Sequence, residues 1–252
     1  MGTITDRDIE TFYHKLQERF SSLVESEGIA RDPVRITARG LSPDEAIGRT
    51  RRKDFPILTG KEILLQAQYR NAYGQAFTDS PSSFEGTLED VLDLDLTGDS
   101  HARGLFIASL NAVMRSLGRT EGTVHCKDDG PERCGDEFAQ RIKAFHADDR
   151  VALIGFQPAL LEHLSPVCRL RVLDLNPANI GSVRHGVTIE DGSDDFERVI
   201  EWADFILCTG STLANGSIVR FLDLARPVVF FGTTIAGTAE LFGLKRWCFC
   251  SM

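Results

Sequence analysis

Residues 150–158 read Arg150-Val151-Ala152-Leu153-Ile154-Gly155-Phe156-Gln157-Pro158, and this stretch decides the fold class. Four consecutive apolar residues, 151–154, are too few for a helix. They lack the alternation of a half-exposed strand, so the strand they form is expected to be covered on both faces. Gly155 ends the run, and Pro158 suits the first turn of a helix. The same grammar repeats further on. Strands are expected at 169–175, 204–208 and 228–231, with helices at 158–164, 195–203 and 217–224. Strand–helix alternation with apolar strands predicts an α/β unit, Rossmann-like, with a mainly parallel sheet. A polar Asp148-Asp149-Arg150 step precedes the first strand. We therefore place a C-terminal domain at 149–252 and an N-terminal domain at 1–148.

Upstream the pattern differs. Ile9, Phe12, Leu16, Phe20 and Val24 recur at helical spacing. A strand is expected at 34–37, and strands at 62–69 and 73–78. Ser42-Pro43-Asp44-Glu45 carries the cap, the N1 proline and the returning carboxylate of a helix start. Thr87-Leu88-Glu89-Asp90 starts another short helix, and 102–117 is the most apolar helix of this half, ending at Gly118. Strands first and helices later predict an α+β arrangement.

The chain has 252 residues and a net charge of −9. An acidic chain is a poor binder of phosphate backbones, and 49–53, with Arg49, Arg51, Arg52 and Lys53, is its one basic concentration, expected as a solvated loop. No stretch approaches a membrane span, and no signal pattern opens the sequence. These features predict a cytoplasmic protein that binds neither nucleic acid nor membrane, with a small molecule as its partner and homo-oligomerisation left open. Six cysteines in that setting are core residues or reactive ligands, not a disulfide framework.

In an open parallel sheet the loops after the strands share the carboxyl edge, where ligands bind. Those loops hold Gly155 and Gln157 after the first strand, and Thr209, Gly210, Ser211, Thr212, Asn215 and Gly216 after a later one. Thr233 and Thr234 follow the last strand. Hydroxyl and amide side chains of this kind can simply cap helices. The 209–217 loop has more of them than capping requires, and its glycines let main-chain N–H groups approach a ligand. Asp174, nineteen residues after Gly155, stands where dinucleotide folds carry an acid for a ribose, or is merely a turn residue. The glycine fingerprint of such folds is missing, with Phe156 and Gln157 in its place, so ordinary NAD binding is disfavoured.

A second constellation is His125, Cys126 and Cys134, soft or borderline ligands for a transition metal, with Cys248 and Cys250 as further donors. Its spacing is not that of a zinc ribbon or finger. Pro131 begins a helix running to about Phe145, and a thiol near its N-terminus, Cys134, is expected to have a lowered pKa. Cys168 and Cys208 read as core, His14 and His146 as surface, and His163 and His185 as lacking an obvious partner. No Gly-x-Ser-x-Gly, His-Glu-x-x-His or Walker loop occurs.

The run Thr209-Gly210-Ser211-Thr212-Leu213-Ala214-Asn215-Gly216-Ser217 resembles the TG-T-x-x-NGT signature of a heavy-metal chelation domain family of prokaryotic proteins. Ser217 replaces the usual Thr and keeps its hydroxyl. The stretches 151–158 and Phe84-Glu85-Gly86-Thr87 and the pair Asn111-Ala112 also match, so the resemblance extends from about Ile36 onward. It implies an N-terminal domain similar to that of enolase, a Rossmann-like domain after it, and a site between them. The leading expectation is a protein binding a small anionic or metal-chelate-related molecule, with catalysis left open. A Rossmann-type transferase or oxidoreductase using a nucleotide-bearing cofactor, and a thiol-based metal-binding protein, are the alternatives.

Overall fold

The apolar spacing at the N-terminus produces helix α1 (Asp6–Ser26), which buries Phe12, Leu16, Phe20 and Val24 along one face. Our description rests on a computed structural model covering residues 5–37, 41–50, 52–59, 63–79, 83–98 and 100–252. Arg51 and Glu62, which figured in the sequence reading, lie outside the described residues. After α1 come β1 (Pro33–Thr37), α2 (Pro43–Ile47), a 3-10 turn at Pro56–Thr59, β2 (Ile63–Tyr69), β3 (Ala72–Thr78), β4 (Phe84–Thr87), α3 (Leu88–Leu92) and α4 (Ser100–Ser116). The strands form an antiparallel sheet in the order β3-β2-β1-β4.

The helix starts follow their sequence signals. Ser42 and Thr87 each head a capping box, closed by Glu45 and Asp90. Gly118 ends α4 in the left-handed region, with its own N–H and that of Arg119 returning to Arg115 and Met114. Helix α4 is buried on nearly every side because it has two partners: β2 and β3 on one flank, and helices of the C-terminal half on the other. Its fit against β3 depends on Gly74. A Cβ there would stand 2.1 Å from the Ala112 amide nitrogen and 2.4 Å from the Ala108 carbonyl oxygen.

Helix α5 (Gly130–Phe145) leads into the second sheet, built from β5 (Arg150–Ile154), β6 (Arg169–Asp174), β7 (Val183–Arg184), β8 (Val187–Asp191), β9 (Phe205–Thr209), β10 (Val228–Phe231) and β11 (Arg246–Trp247). Between them lie α6 (Pro158–Leu164), α7 (Phe196–Trp202), α8 (Ser211–Asn215), α9 (Val219–Leu222) and α10 (Ala236–Phe242). The order is β11-β10-β9-β5-β6-β8-β7, parallel except for the β7–β8 hairpin. Numbered along the chain, the six parallel strands run 3-2-1-4-5-6, the order of doubly wound nucleotide-binding sheets.

Strand β5 is covered on both faces, as its unbroken apolar run requires. Val151 and Leu153 pack with Phe138 and Ile142 of α5 and with Leu160, Leu161 and Leu164 of α6. Ala152 and Ile154 face a second core shared with α1, α4, α7, α8 and α10. Each large side chain buried this way contributes about 1.5–3 kcal/mol. That second core runs without a break from the antiparallel half into the parallel half. Helix α5 packs with α6 on the parallel sheet although it precedes the polar step at 148–150.

Several details differ from the sequence reading. The third parallel strand, β8, went unread because Val187-Thr188-Ile189-Glu190-Asp191 alternates and only Ile189 is fully buried. The helix expected at 217–224 is shorter, α9 at Val219–Leu222, and the loop expected before it holds another short helix, α8, which ends at Gly216 with φ +83. The basic 49–53 segment is not simply solvated. The Arg52 side chain is only 12% exposed and pairs with Glu132 (2.6 Å), Glu162 and Asp54, tying the N-terminal half to α5 and α6. His163 and His185 do have partners, Glu132 at 3.2 Å and Glu162 at 3.8 Å. His146 is half-buried beside the Phe205 ring and pairs with Asp149, while His14 is exposed. Among the described residues no helix is long and apolar enough to cross a membrane.

Candidate functional site

Strands β5 and β9 are neighbours, and the chain leaves them in opposite directions across the sheet. Their carboxyl ends therefore flank the crevice where doubly wound sheets take ligands. Gly155 ends β5 with φ +88, and a Cβ there would meet the Thr209 side chain at 2.7 Å. Glycine thus lets the two strand ends close on one another. Above this edge lies a cavity of about 690 Å³, walled by both halves of the chain. The antiparallel half supplies Phe55, Ile57, Phe77, Thr78 and Arg103. The strand-end loops supply the opposite wall.

The structure brings nearly all the sequence-predicted residues to this one cavity. Gly155, Gln157, Asp174, Thr209, Gly210, Ser211, Thr212, Asn215, Thr233 and Thr234 line it, and so do His125, Cys126 and Cys134. Gly216 does not. It lies instead against Arg103 and Tyr13, where a Cβ would come 3.0 Å from Arg103 Nη1.

Lining is not the same as being free to bind, and several groups are committed within the protein. Gln157 caps α6, its Oε1 accepting from the Leu160 amide at 2.6 Å. Asp174 braces the edge: its carboxylate accepts from the amides of Phe156 (2.7 Å) and Asn176 (2.7 Å) and from Asn179 Nδ2 (3.2 Å). The Phe156 amide is one that would otherwise face a pyrophosphate in a dinucleotide fold. Thr212 Oγ1 donates to the Thr209 carbonyl at 2.7 Å, and Thr209 and Ser211 hydroxyls are linked at 3.3 Å. Asn215 is exposed at the end of α8, its Oδ1 accepting from the Ser217 amide and hydroxyl. Thr233 Oγ1 is buried with no partner among the described residues.

The last strand-end loop is fixed from the other half of the chain. Thr234 Oγ1 accepts from the Phe77 amide at 3.1 Å. Asn111, fully buried in α4, donates through Nδ2 to the carbonyls of Gln75 (2.9 Å), Thr233 (3.2 Å) and Thr234 (3.1 Å). Its Oδ1 accepts from the Gly237 amide at 2.7 Å. The carboxamide orientation follows from the network, since the reverse would set an oxygen against three carbonyls.

The thiols gather at one side of the cavity. Cys126, Cys134 and Cys248 line it, and the Cys250 thiol interacts with that of Cys134. Cys134 departs from expectation. It has turned inward from α5, and burial, reinforced by the neighbouring Cys248, pushes its thiol up to about 12 instead of lowering it. Burial raises Cys126 as well, and Cys208 is a core residue as its apolar flanks suggested. His125 is kept neutral by burial, which lowers its pKa. Its Nδ1 lies 2.7 Å from the Cys126 carbonyl, which can only accept, so Nδ1 carries the proton and Nε2 the lone pair. Among the described residues no group of three or more His, Cys, Asp or Glu side chains is placed to hold a metal ion.

Two cations in the cavity lining escaped the sequence reading, Arg103 and Arg220. Each had a signal: a lone cation inside an apolar run, Ala102-Arg103-Gly104-Leu105 and Ile218-Val219-Arg220-Phe221.

Comparison with known proteins agrees with the resemblance seen in the sequence. Residues 140–244 match the family described as "DUF364: Putative heavy-metal chelation". A solved structure from Pyrococcus horikoshii, a protein with unknown function from the DUF364 family, is 16% identical, with a TM-score of 0.50 over 87% of this chain and 79% of that one. A second, from Desulfitobacterium hafniense DCB-2 and of the same description, is 13% identical, with a TM-score of 0.51 over 92% and 84%. At these identities the likeness speaks to fold alone. No curated protein matches the chain.

Proposed function

We propose that this chain binds a small organic molecule, rich in oxygen acceptors, in the cavity between its two sheets. The observation that carries the reading is the cavity itself, about 690 Å³ at the switch point of the parallel sheet, with walls from both halves. Its lining supports an organic ligand with polar groups: aromatic rings on the antiparallel side, and the 209–212 and 233–234 hydroxyls on the other. The division into an enolase-N-terminal-like domain at 1–148 and a Rossmann-like domain at 149–252 belongs to the same proposal, as does a cytoplasmic setting. The family description, heavy-metal chelation, is carried over as pointing to an oxygen-donor chelator or its precursor.

A nucleotide-bearing cofactor is the weaker reading. The Phe156 amide is spent on Asp174, and Gln157 is spent on its own helix. The test is a thermal-shift panel of small organic acids, phosphorylated metabolites and nucleotides on the wild type and on Ser211→Tyr, which places a ring at the 209–212 wall of the cavity. A ligand that stabilises the wild type and not the variant supports the proposal. Equal stabilisation of both by every active compound contradicts it.

A further inference from the structure

Two arginines in the cavity lining bear on the charge of its ligand. Arg103 reaches the cavity from α4 and Arg220 from α9, four residues beyond the Gly216 that Arg103 touches. Both are half-buried. Other arginines held in the body of the fold are fully matched. Arg150 pairs with Asp204, Arg171 with Glu190, and Arg52 with Glu132. Arg246 donates to the carbonyls of Gly232, Glu121 and Gly122. Arg103 and Arg220 have no carboxylate at ion-pair distance among the described residues.

Their polar contacts are few for groups with five N–H donors each. Arg103 reaches Tyr13 Oη at 3.5 Å, and its Nε is buried without a partner. Arg220 donates to the Gly192 carbonyl at 3.3 Å. Burial pulls the Arg220 guanidinium below its ordinary range, and the charge of Glu197 offsets this only in part. A half-buried cation left unmatched is costly unless something else completes it.

Both side chains are also held ready. Arg103 lies over the Tyr13 ring at 5.3 Å, and Arg220 over the Phe196 ring at 3.4 Å. A guanidinium packed against an aromatic ring is pre-organised, so less freedom is lost when it recognises a planar or tetrahedral oxyanion. The acids of the same lining do not answer this charge. Asp174 is engaged by three donors, and Asp79 is exposed. The imidazole of the same lining, His125, has its charged form disfavoured by burial.

Building on the cavity reading, we infer that Arg103 and Arg220 together receive an oxyanion of the ligand, a carboxylate or a phosphate, whose organic body lies against Phe55, Ile57 and Phe77. Such anions match the guanidinium fork, and a pair from separate elements makes recognition depend on both halves of the chain.

Isothermal titration of the intact protein with inorganic phosphate and with citrate, at low ionic strength, tests this on the wild type, Arg103→Gln and Arg220→Gln. Saturable binding of at least one anion is expected. It should weaken with added sodium chloride and fall roughly tenfold or more in each variant, the usual effect of losing a charge-assisted hydrogen bond. Preference for phosphate or for citrate distinguishes the phosphoryl from the carboxylate source. Should Arg103→Gln fail to fold, Arg103→Lys, which keeps the charge without the fork, makes the same comparison with Arg220→Gln. No saturable binding of either anion, or equal affinity in wild type and variants, overturns the inference. A panel ligand lost in Ser211→Tyr but retained by both arginine variants would sink this inference and leave the cavity reading standing. A ligand indifferent to all three substitutions would sink both.

Discussion

Asn111 is the side chain whose removal should expose the construction of the site most clearly. It is fully buried, and its carboxamide joins β3, the 233–234 loop and the first turn of α10 through contacts of 2.7–3.2 Å. Asn111→Ala orphans the Gly237 amide, at about 1–3 kcal/mol for a buried unsatisfied donor. It also withdraws two N–H donors from backbone carbonyls, at about 0.5–1.5 kcal/mol each. The expected loss is about 2–6 kcal/mol, which for a chain of this size lowers Tm by roughly 4–24 °C. Asn111→Asp should be no milder, because it sets a carboxylate against three carbonyl oxygens. Urea unfolding and calorimetry on the purified variants measure the loss directly. A cost below about 1 kcal/mol for Asn111→Ala would refute the view that this residue anchors the strand-end loop.

Other perturbations separate fold from site. Gly74→Ala drives a Cβ into the α4 backbone at 2.1 Å, so it should cost about 3 kcal/mol or more, at the upper end of overpacking; unchanged urea stability would contradict that packing. Arg52 holds the carboxyls of Glu132 and Glu162 below the ordinary glutamate value of 4.5. That contribution is present above pH 4.5 and is lost as the pH falls through the lowered values, so Arg52→Gln should flatten the acid limb of the stability profile measured by circular dichroism. An unchanged limb would count against the network. Native-state alkylation at pH 8, mapped by peptide mass spectrometry, should label Cys250 before Cys208, which is fully buried with its thiol pushed up. Equal rates would contradict the burial assigned to Cys208.

Much of the parallel half was legible because its strands announce themselves. Val151-Ala152-Leu153-Ile154 is apolar on both faces and is buried on both, and Gly155 ends it with a positive φ that only glycine adopts easily. The hydroxyl-rich loop after β9 lies at the cavity edge. What the sequence could not convey was commitment. Gln157, Asp174 and Asn215 look equally available on paper, yet each is engaged by a neighbouring backbone group. Nor could local pattern reveal that Cys134 turns into the protein, since the cue at the head of a helix is the same for a buried and an exposed thiol. Arg103 and Arg220 were visible as isolated cations in apolar runs, but their convergence on one cavity is a product of topology: α4 and α9 are more than a hundred residues apart in the chain.

The central claim is that the cavity at the β5–β9 edge holds a small organic molecule, and native mass spectrometry of the protein as purified tests it most directly. Wild type should carry a substoichiometric or stoichiometric adduct of low mass, released on unfolding and identifiable as an acid or phosphate ester, while Ser211→Tyr, with its ring obstructing the 209–212 wall, should appear bare. An adduct of equal occupancy in the two proteins, or a wild type that stays bare after incubation with every stabilising compound of the thermal-shift panel, would contradict the account.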